Sequence, residues 1–302
     1  MSIDFSDKMA GETDKQLQIL VIMAHPADTF DHCGGTMAHH IQRGDKVTVV
    51  GMYQGVHIHD EVIADQMRMS GTTLSDEESE KLRDTREDVK NKEVIEACGI
   101  LGITDVRFMG IEDKINLINE TTIIAIAKII REIKPDILIT HYPVIMQGFD
   151  AHGQAGEMVL RAAGYAGNLD FSDPNPGHRT PQILYSNPDN YLAKGSVLHS
   201  ESNCYCDLFI DVSDVADKIT KARNAMVSQQ YNGNYARKSV EGNIGKMGDA
   251  MGTGYAEAFV RHKPELRYYL PLPKRMEAWA NEPEKEQLER RGYMVAPYVD
   301  LD

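Results

Sequence analysis

Apolar residues cluster in short, unbroken runs along the first half of the chain, each followed by a stretch with helical spacing. Leu17 to Met23 (LQILVIM) is continuous enough to predict a strand covered on both faces. Gly34 to Arg43 reads as a helix closed by Gly44. Lys46 to Met52 is the second strand. Ser75 to Leu101 is one long helix, opened by Ser75 and Glu78 in capping-box spacing and ended by Gly102. Asp105 to Met109 predicts a short strand, Thr121 to Ile133 a helix, Asp136 to His141 another buried strand, and Gly153 to Ala166 a helix.

Strand and helix alternating in this way predict an α/β protein with a doubly wound, mostly parallel sheet and helices on both faces. In such sheets ligands bind beyond the carboxyl ends of the strands. His25 and Asp28 follow the first strand; His57, His59, Asp60 and Glu61 follow the second; His141, Asp150 and His152 follow the Asp136–His141 strand. The second half is less regular. Residues 167–180 form a Pro/Asn/Asp-rich loop, Gln182 to Tyr185 and Leu208 to Val212 are strands, and Asp214 to Gln230 is a helix. The glycine-rich stretch from Gly233 to Gly254 is expected as a loop, and the charged tail from about Pro264 as a wrap around the body or a neighbouring subunit.

Composition narrows the function. With 302 residues and 42% hydrophobic content the chain can bury a substantial core. A formal net charge of −14 leaves no basic surplus for nucleic acid or for an anionic membrane, so neither partner is expected. Met1 to Gln16 lacks the apolar core of a signal peptide, and no run reaches the roughly 20 apolar residues of a membrane helix. Four scattered cysteines suit a reducing cytoplasm. Cys204 and Cys206 are one residue short of a CxxC pair and read as two residues of one strand face.

A histidine and a carboxylate three apart, on a tight turn leaving a buried strand, can converge on one ion. Zinc accepts imidazole nitrogen and carboxylate oxygen, and His152 is the best third ligand for His25 and Asp28. Gly34-Gly35 would leave helix N–H groups free for an anion. No GxGxxG or GxxxxGK[ST] is present, so neither a dinucleotide site nor a P-loop is supported. His57 and His59 point to one side if their segment is extended, and His141 ends a buried strand. His39, His40, Arg86 and Arg161 read as packing or ion-paired residues, with Arg86 and Arg161 the alternative holders of a substrate carboxylate.

The run AHPADTFDHCGGTMAHHIQRGDKVTVV resembles the opening of the PIG-L/LmbE family of zinc-dependent enzymes, whose own pattern is AHPDDE followed by GGT. The likeness continues through Glu93–Gly102, Met109-Gly110…Asp113, Asp150-Ala151-His152, Ile210–Gln229 and the GYAEAF segment at Gly254–Phe259. It implies one domain over 1–302, with a core at 17–262 and an extension at 263–302. It also implies a zinc site (another divalent metal being the alternative) held by His25, Asp28 and His152, with the metal lowering the pKa of a bound water. The family's usual base is replaced by Ala27, and the histidine of its late motif by Phe149. His141, Asp150, His57, His59 and Glu61 are therefore the candidate acid–base groups. Three readings stay open: hydrolysis of an amide or other C–N bond in a small polar or carboxylate-bearing substrate; hydration of an unsaturated oxo-acid, as in the 4-oxalomesaconate hydratases that are also similar at Ala27-Asp28; or a metal-retaining binding protein. A homo-oligomer is expected.

Overall fold

The computed structural model describes residues 15–71, 74–113, 117–143, 151–186, 206–266 and 268–295. Its strands are β1 (Gln18–Met23), β2 (Lys46–Tyr53), β3 (Asp105–Ile111), β4 (Ile137–Thr140), β5 (Gln182–Ser186), β6 (Leu208–Asp211) and β7 (Ala256–Arg261). The helices of the first half are α1 (Asp28–Asp31), α2 (Gly34–Arg43), α3 (Val56–His59), α4 (Glu61–Ser70), α5 (Asp76–Ile100), α6 (Glu120–Ile133) and α7 (Ala151–Ala166). Those of the second half are α8 (Ala216–Asn224), α9 (Asn234–Val240), α10 (Lys246–Met251), α11 (Lys274–Ala280) and α12 (Glu284–Arg291).

The strands form one sheet in the order β3-β2-β1-β4-β5-β7-β6. Strands β1 to β5 are mutually parallel where they pair, and β7 runs antiparallel to both β5 and β6. The mostly parallel, doubly wound fold is thus as the pattern predicts. The alternation of β1 shows why its sequence is apolar throughout. Ile19, Val21 and Met23 enter a core shared with Met37 of α2, Val94 and Ala97 of α5 and Ile219 of α8. Leu20 and Ile22 enter the opposite core, with Ile126 and Ile130 of α6 and Met158 and Val159 of α7. Strand order reverses between β1 and β4, which opens the ligand crevice at their carboxyl ends.

Local signals are realised closely for α5, whose Ser75–Glu78 capping box is complete, and for α2, which ends at Gly44 with φ 90°. Elsewhere the structure corrects the sequence reading. The segment from Gly233 to Gly254 is helical rather than a loop: α9, a π-helical turn at Glu241–Gly245, then α10. Of its glycines, Gly248 and Gly254 serve close packing. A Cβ on Gly248 would lie 2.3 Å from the Gly254 carbonyl oxygen. The 214–230 helix is broken into a 3-10 turn, α8 and a second 3-10 turn that ends at Gln230, φ 56°. Strand β7 was absent from the pattern, and α7 begins at Ala151, two residues early. The tail does wrap the body: Val295 is buried in the main core, and its N–H donates to Tyr255 Oη at 2.7 Å. Cys206 is buried just before β6; Cys204 lies outside the described residues.

Arg131 on α6 shows how a buried cation is tolerated. It is fully buried, and its Nε, Nη1 and Nη2 reach the carbonyls of Ala166, Tyr165 and Asn168 and the carboxylates of Asp170 and Asp173, all within 3.2 Å. The guanidinium thereby ties off the C-terminus of α7 and fixes the helix that carries His152.

Candidate metal centre and adjoining cavity

The turn after β1 is built by its own carboxylate. Asp28 Oδ2 accepts from the backbone N–H of His25 at 2.8 Å, while the Asp28 N–H donates back to the His25 carbonyl at 3.2 Å. This closes the His25-Pro26-Ala27-Asp28 turn and brings the two side chains together, with His25 Nδ1 3.2 Å from Asp28 Oδ2. From the other side of the switch point, α7 delivers His152. Its Nε2 lies 3.2 Å from His25 Nδ1 and 3.2 Å from Asp28 Oδ2. Gly156 makes this approach possible, because a Cβ there would sit 2.4 Å from the His141 carbonyl oxygen.

The three atoms form a nearly equilateral triangle. For a tetrahedral ion with ligand bonds of about 2.0–2.1 Å, neighbouring ligand atoms are separated by about 3.3–3.4 Å, so the set fits a zinc-sized cation with one open face. Among the described residues this is the His/Asp group able to hold a metal. Burial opposes ionisation of Asp28, but the surrounding imidazoles outweigh it and hold the carboxyl well below its usual range. A carboxylate kept charged in a dry site is what a divalent cation requires.

Other imidazoles surround this triangle. His141 stacks on His152, with ring centroids 4.2 Å apart and planes 2° apart. Its Nε2 lies 3.0 Å from the Ala24 N–H and 3.4 Å from Asp28 Oδ2, and burial lowers its pKa to about 3, so the ring is neutral. His59 meets His25 edge-on at 4.2 Å, and burial likewise lowers it to about 3. His32, one turn beyond Asp28, places Nε2 3.8 Å from Asp28 Oδ1.

The loop after β2 separates the two histidines that an extended segment would have aligned. Residues 56–59 are helical, so His57 turns outward to Glu112 at 3.3 Å while His59 turns inward. Gly55, at φ 69°, presses this loop on the first turn: a Cβ there would lie 3.1 Å from Pro26 Cδ. Glu61 sits in the first turn of α4 and makes none of the described contacts with the cluster. Asp60 caps α4 and is gripped by Arg86 through two bonds of 2.6 and 3.1 Å. His39 pairs with Asp214, His40 with Asp45 and Arg161 with Glu157, as packing and surface residues do. Phe149 and Asp150 lie outside the described residues.

Lys90 of α5 is nearly inaccessible and donates to the His59 carbonyl at 2.8 Å, which anchors α3. Burial pulls its pKa from 10.5 to about 8, against the pull of Asp60, Glu93 and Asp113 in the other direction. The fold therefore disfavours the charged form, and the unfolded chain binds more protons between the two values. Stability is expected to rise with pH from about 8 to about 10.5, by at most about 1.4 kcal/mol per pH unit from this group. Urea midpoints measured across that window, wild type against Lys90→Met, test the contribution; equal slopes in the two proteins would refute it.

Sequence reasoning missed several site residues. His32 was findable as Asp28 plus four, had residues 28–31 been read as helix. Tyr53 Oη and Asp113 Oδ2 are buried beside the cluster without a hydrogen-bond partner among the described residues. No local pattern marks them, because only the β2 and β3 loops bring them together. The Gly34-Gly35-Thr36 amides do bind an anion, but it is the protein's own. Glu257 of β7 accepts from Gly35 N and Thr36 N at 2.8 Å each and from Thr36 Oγ1 at 2.6 Å.

A doubly wound α/β sheet thus places a His-Asp-His triangle, a group that could hold a metal ion, at the switch point where such sheets bind ligands. Residues 20–163 match the PIG-L family model, described as GlcNAc-PI de-N-acetylase, and the chain is PIG-L/LmbE-like. It is 26% identical over 216 residues to a 1D-myo-inositol 2-acetamido-2-deoxy-alpha-D-glucopyranoside deacetylase of Thermomonospora curvata, covering 63% of this chain and 67% of that protein. Across the first curated relatives it matches, the chain spans between about half and two thirds of their length. Those relatives are named as deacetylases, which are hydrolytic enzymes. Among solved structures it resembles the 4-carboxy-2-hydroxymuconate hydratase GalB of Pseudomonas putida KT2440, with a TM-score of 0.64, 21% identity and coverage of 84% and 99%. It also resembles the N,N'-diacetylchitobiose deacetylase of Pyrococcus horikoshii, with a TM-score of 0.60, 18% identity and coverage of 80% and 82%. Both likenesses concern the fold. No helix among the described residues is long and apolar enough to cross a membrane.

Proposed function

We propose that this chain is a zinc-dependent hydrolase that directs a water at the acyl carbon of an N-acyl amide in a small polar substrate. The triangle of His25, Asp28 and His152 carries the reading, and the deacetylase names of the relatives supply the bond type. Zinc bound there would polarise the carbonyl and make a water acidic enough to act near neutral pH. The chain's own residues do the rest. Asp28 contributes the negative charge, and its backbone bond to His25 holds the turn in place. His141 locks the ring of His152 by stacking and adds no positive charge beside the cation. His59, held neutral by burial, packs edge-on against His25 and steadies that ring without adding positive charge beside the cation.

Ala27 favours a second reading. It is 2% exposed and packed in the main core, so the usual proton acceptor of the family is replaced by a methyl group. A hydratase acting on an unsaturated oxo-dicarboxylate has no amine to expel and so no leaving group to protonate. The two are separated by incubating zinc-loaded protein with N-acetylglucosamine derivatives and with oxo-dicarboxylate enols. Acetate release is the expected result. Loss of enol absorbance without acetate release would replace the hydrolase reading by the hydratase one.

A further inference from the structure

Beside the metal centre lies a cavity of about 410 Å³ that the reaction chemistry does not use. His32 forms the wall common to both, since its ring stands 6.2 Å from that of His152 while also lining the cavity. The rest comes from α1, α8, α9 and the π-helical turn. Asp31 and Arg223 face each other at its base, with Arg223 Nε 2.6 Å from Asp31 Oδ1 and Nη2 on Oδ2, so these two charges cancel. Tyr231 and Tyr235, ring centroids 5.6 Å apart, supply an aromatic side. Lys238, Ser239, Gly242 and Asn243 complete the lining.

We infer that this cavity is a carboxylate-binding subsite, and that Lys238 is the counter-ion for an anionic group on the part of the substrate remote from the reacting bond. This rests on the proposed metal centre only for which end of the substrate reacts. Charge is the first argument. On a chain with a net charge of −14, the described residues lining this cavity leave one positive charge over: Asp31 is matched by Arg223, and Lys238 pairs with no described residue. Hydrogen bonding is the second. The Asn243 amide also has no described partner, so an ammonium and an amide N–H₂ are both available to two carboxylate oxygens. Size is the third, because a volume of this order suits a small organic molecule and exceeds what a lone ion fills. Shape is the fourth. Gly242 lies on the π-helical turn, and a Cβ on it would meet nothing within 4 Å, so the backbone there borders open space. π-Helical turns recur at functional sites.

The test is calorimetric titration with glutarate as the probe. Wild-type protein is expected to bind it. Lys238→Met removes the charge from an exposed helical position and Gly242→Leu fills the cavity, and each is expected to weaken Kd for glutarate about tenfold or more. The metal-free His152→Ala protein is expected to keep binding glutarate with the same dependence on Lys238, because the subsite does not include the metal. Zinc content is read on the same samples. If wild type holds no zinc, the metal-centre reading fails while the glutarate titration still decides the subsite. Glutarate that fails to bind wild type at millimolar concentration, binds Lys238→Met as tightly as wild type, or loses all binding in the metal-free protein overturns the inference.

Discussion

Protein with His152 replaced by alanine is expected to purify folded and without its metal, with turnover at least about a thousandfold lower. His152 lies on the first turn of α7 and is no part of the hydrophobic core, so its truncation removes one corner of the triangle and its ring contacts with His141 and His25 without opening the core. Two ligands do not hold zinc against exchange, and the lost charge stabilisation of several kcal/mol corresponds to at least about three orders of magnitude in rate. Asp28→Asn gives the complementary result: the side chain keeps its shape near the His25 N–H but loses the negative charge the cation needs. Metal content by plasma mass spectrometry and circular dichroism on the same samples provide the readout. Full metal occupancy in His152→Ala would show that the triangle is not the metal site.

The largest stability effect is expected at Glu257. Its carboxylate is 2% exposed and satisfies the first free amides of α2 together with the Thr36 hydroxyl. Helix N-termini favour an anion, and here it reaches over from β7, so one side chain joins the second half of the fold to the first. Gly35 lets α2 pack closely on Val212 and Ile219, because a Cβ there would stand 2.6 Å from Val212 Cγ1 and 2.9 Å from Ile219 Cδ1. Glu257→Ala leaves two amides and a hydroxyl buried without partners, at a cost of about 3–5 kcal/mol. Glu257→Gln keeps the shape but turns an amide N–H₂ toward the donors, and is expected to recover only part of the loss. Urea midpoints rank the three proteins, and an alanine variant as stable as wild type would refute the anchoring role. The same contact accounts for two separated motifs, the Gly-Gly-Thr run and the Ala-Glu-Ala-Phe segment, as the halves of one structural device.

How far the sequence reached depended on whether the information was local. The capping box of α5, the left-handed Gly44 after α2 and the apolar run of β1 are decided by neighbours within a few residues, and each appears where the pattern puts it. The glycine-rich stretch was misread because helix propensity counts Gly248 as a breaker, whereas its close approach to Gly254 favours the smallest residue. The His57–His59 pair was misread because alternation suggests a strand, whereas Gly55 and Lys90 fold the segment into a helical turn. For the site, the His25–Asp28 spacing and the position of His152 after the fourth strand were readable; His32, Tyr53, Asp113 and the cavity around Lys238 were not.

Strand–helix alternation, the edge of the sheet at which chemistry would gather and the three residues proposed as metal ligands were legible without coordinates. The first two follow from periodicity and the His25–Asp28 pair from short spacing, whereas His152 was read from its place after the fourth strand and from the family resemblance. Packing alone brings the three potential ligand atoms to 3.2 Å, fills the amides of α2 with Glu257 and sets a cavity with an unbalanced lysine beside the candidate centre. Those facts depend on segments more than a hundred residues apart packing to within a fraction of an ångström. The Gly156 contact that lets α7 bring His152 to His25 is one such dependence.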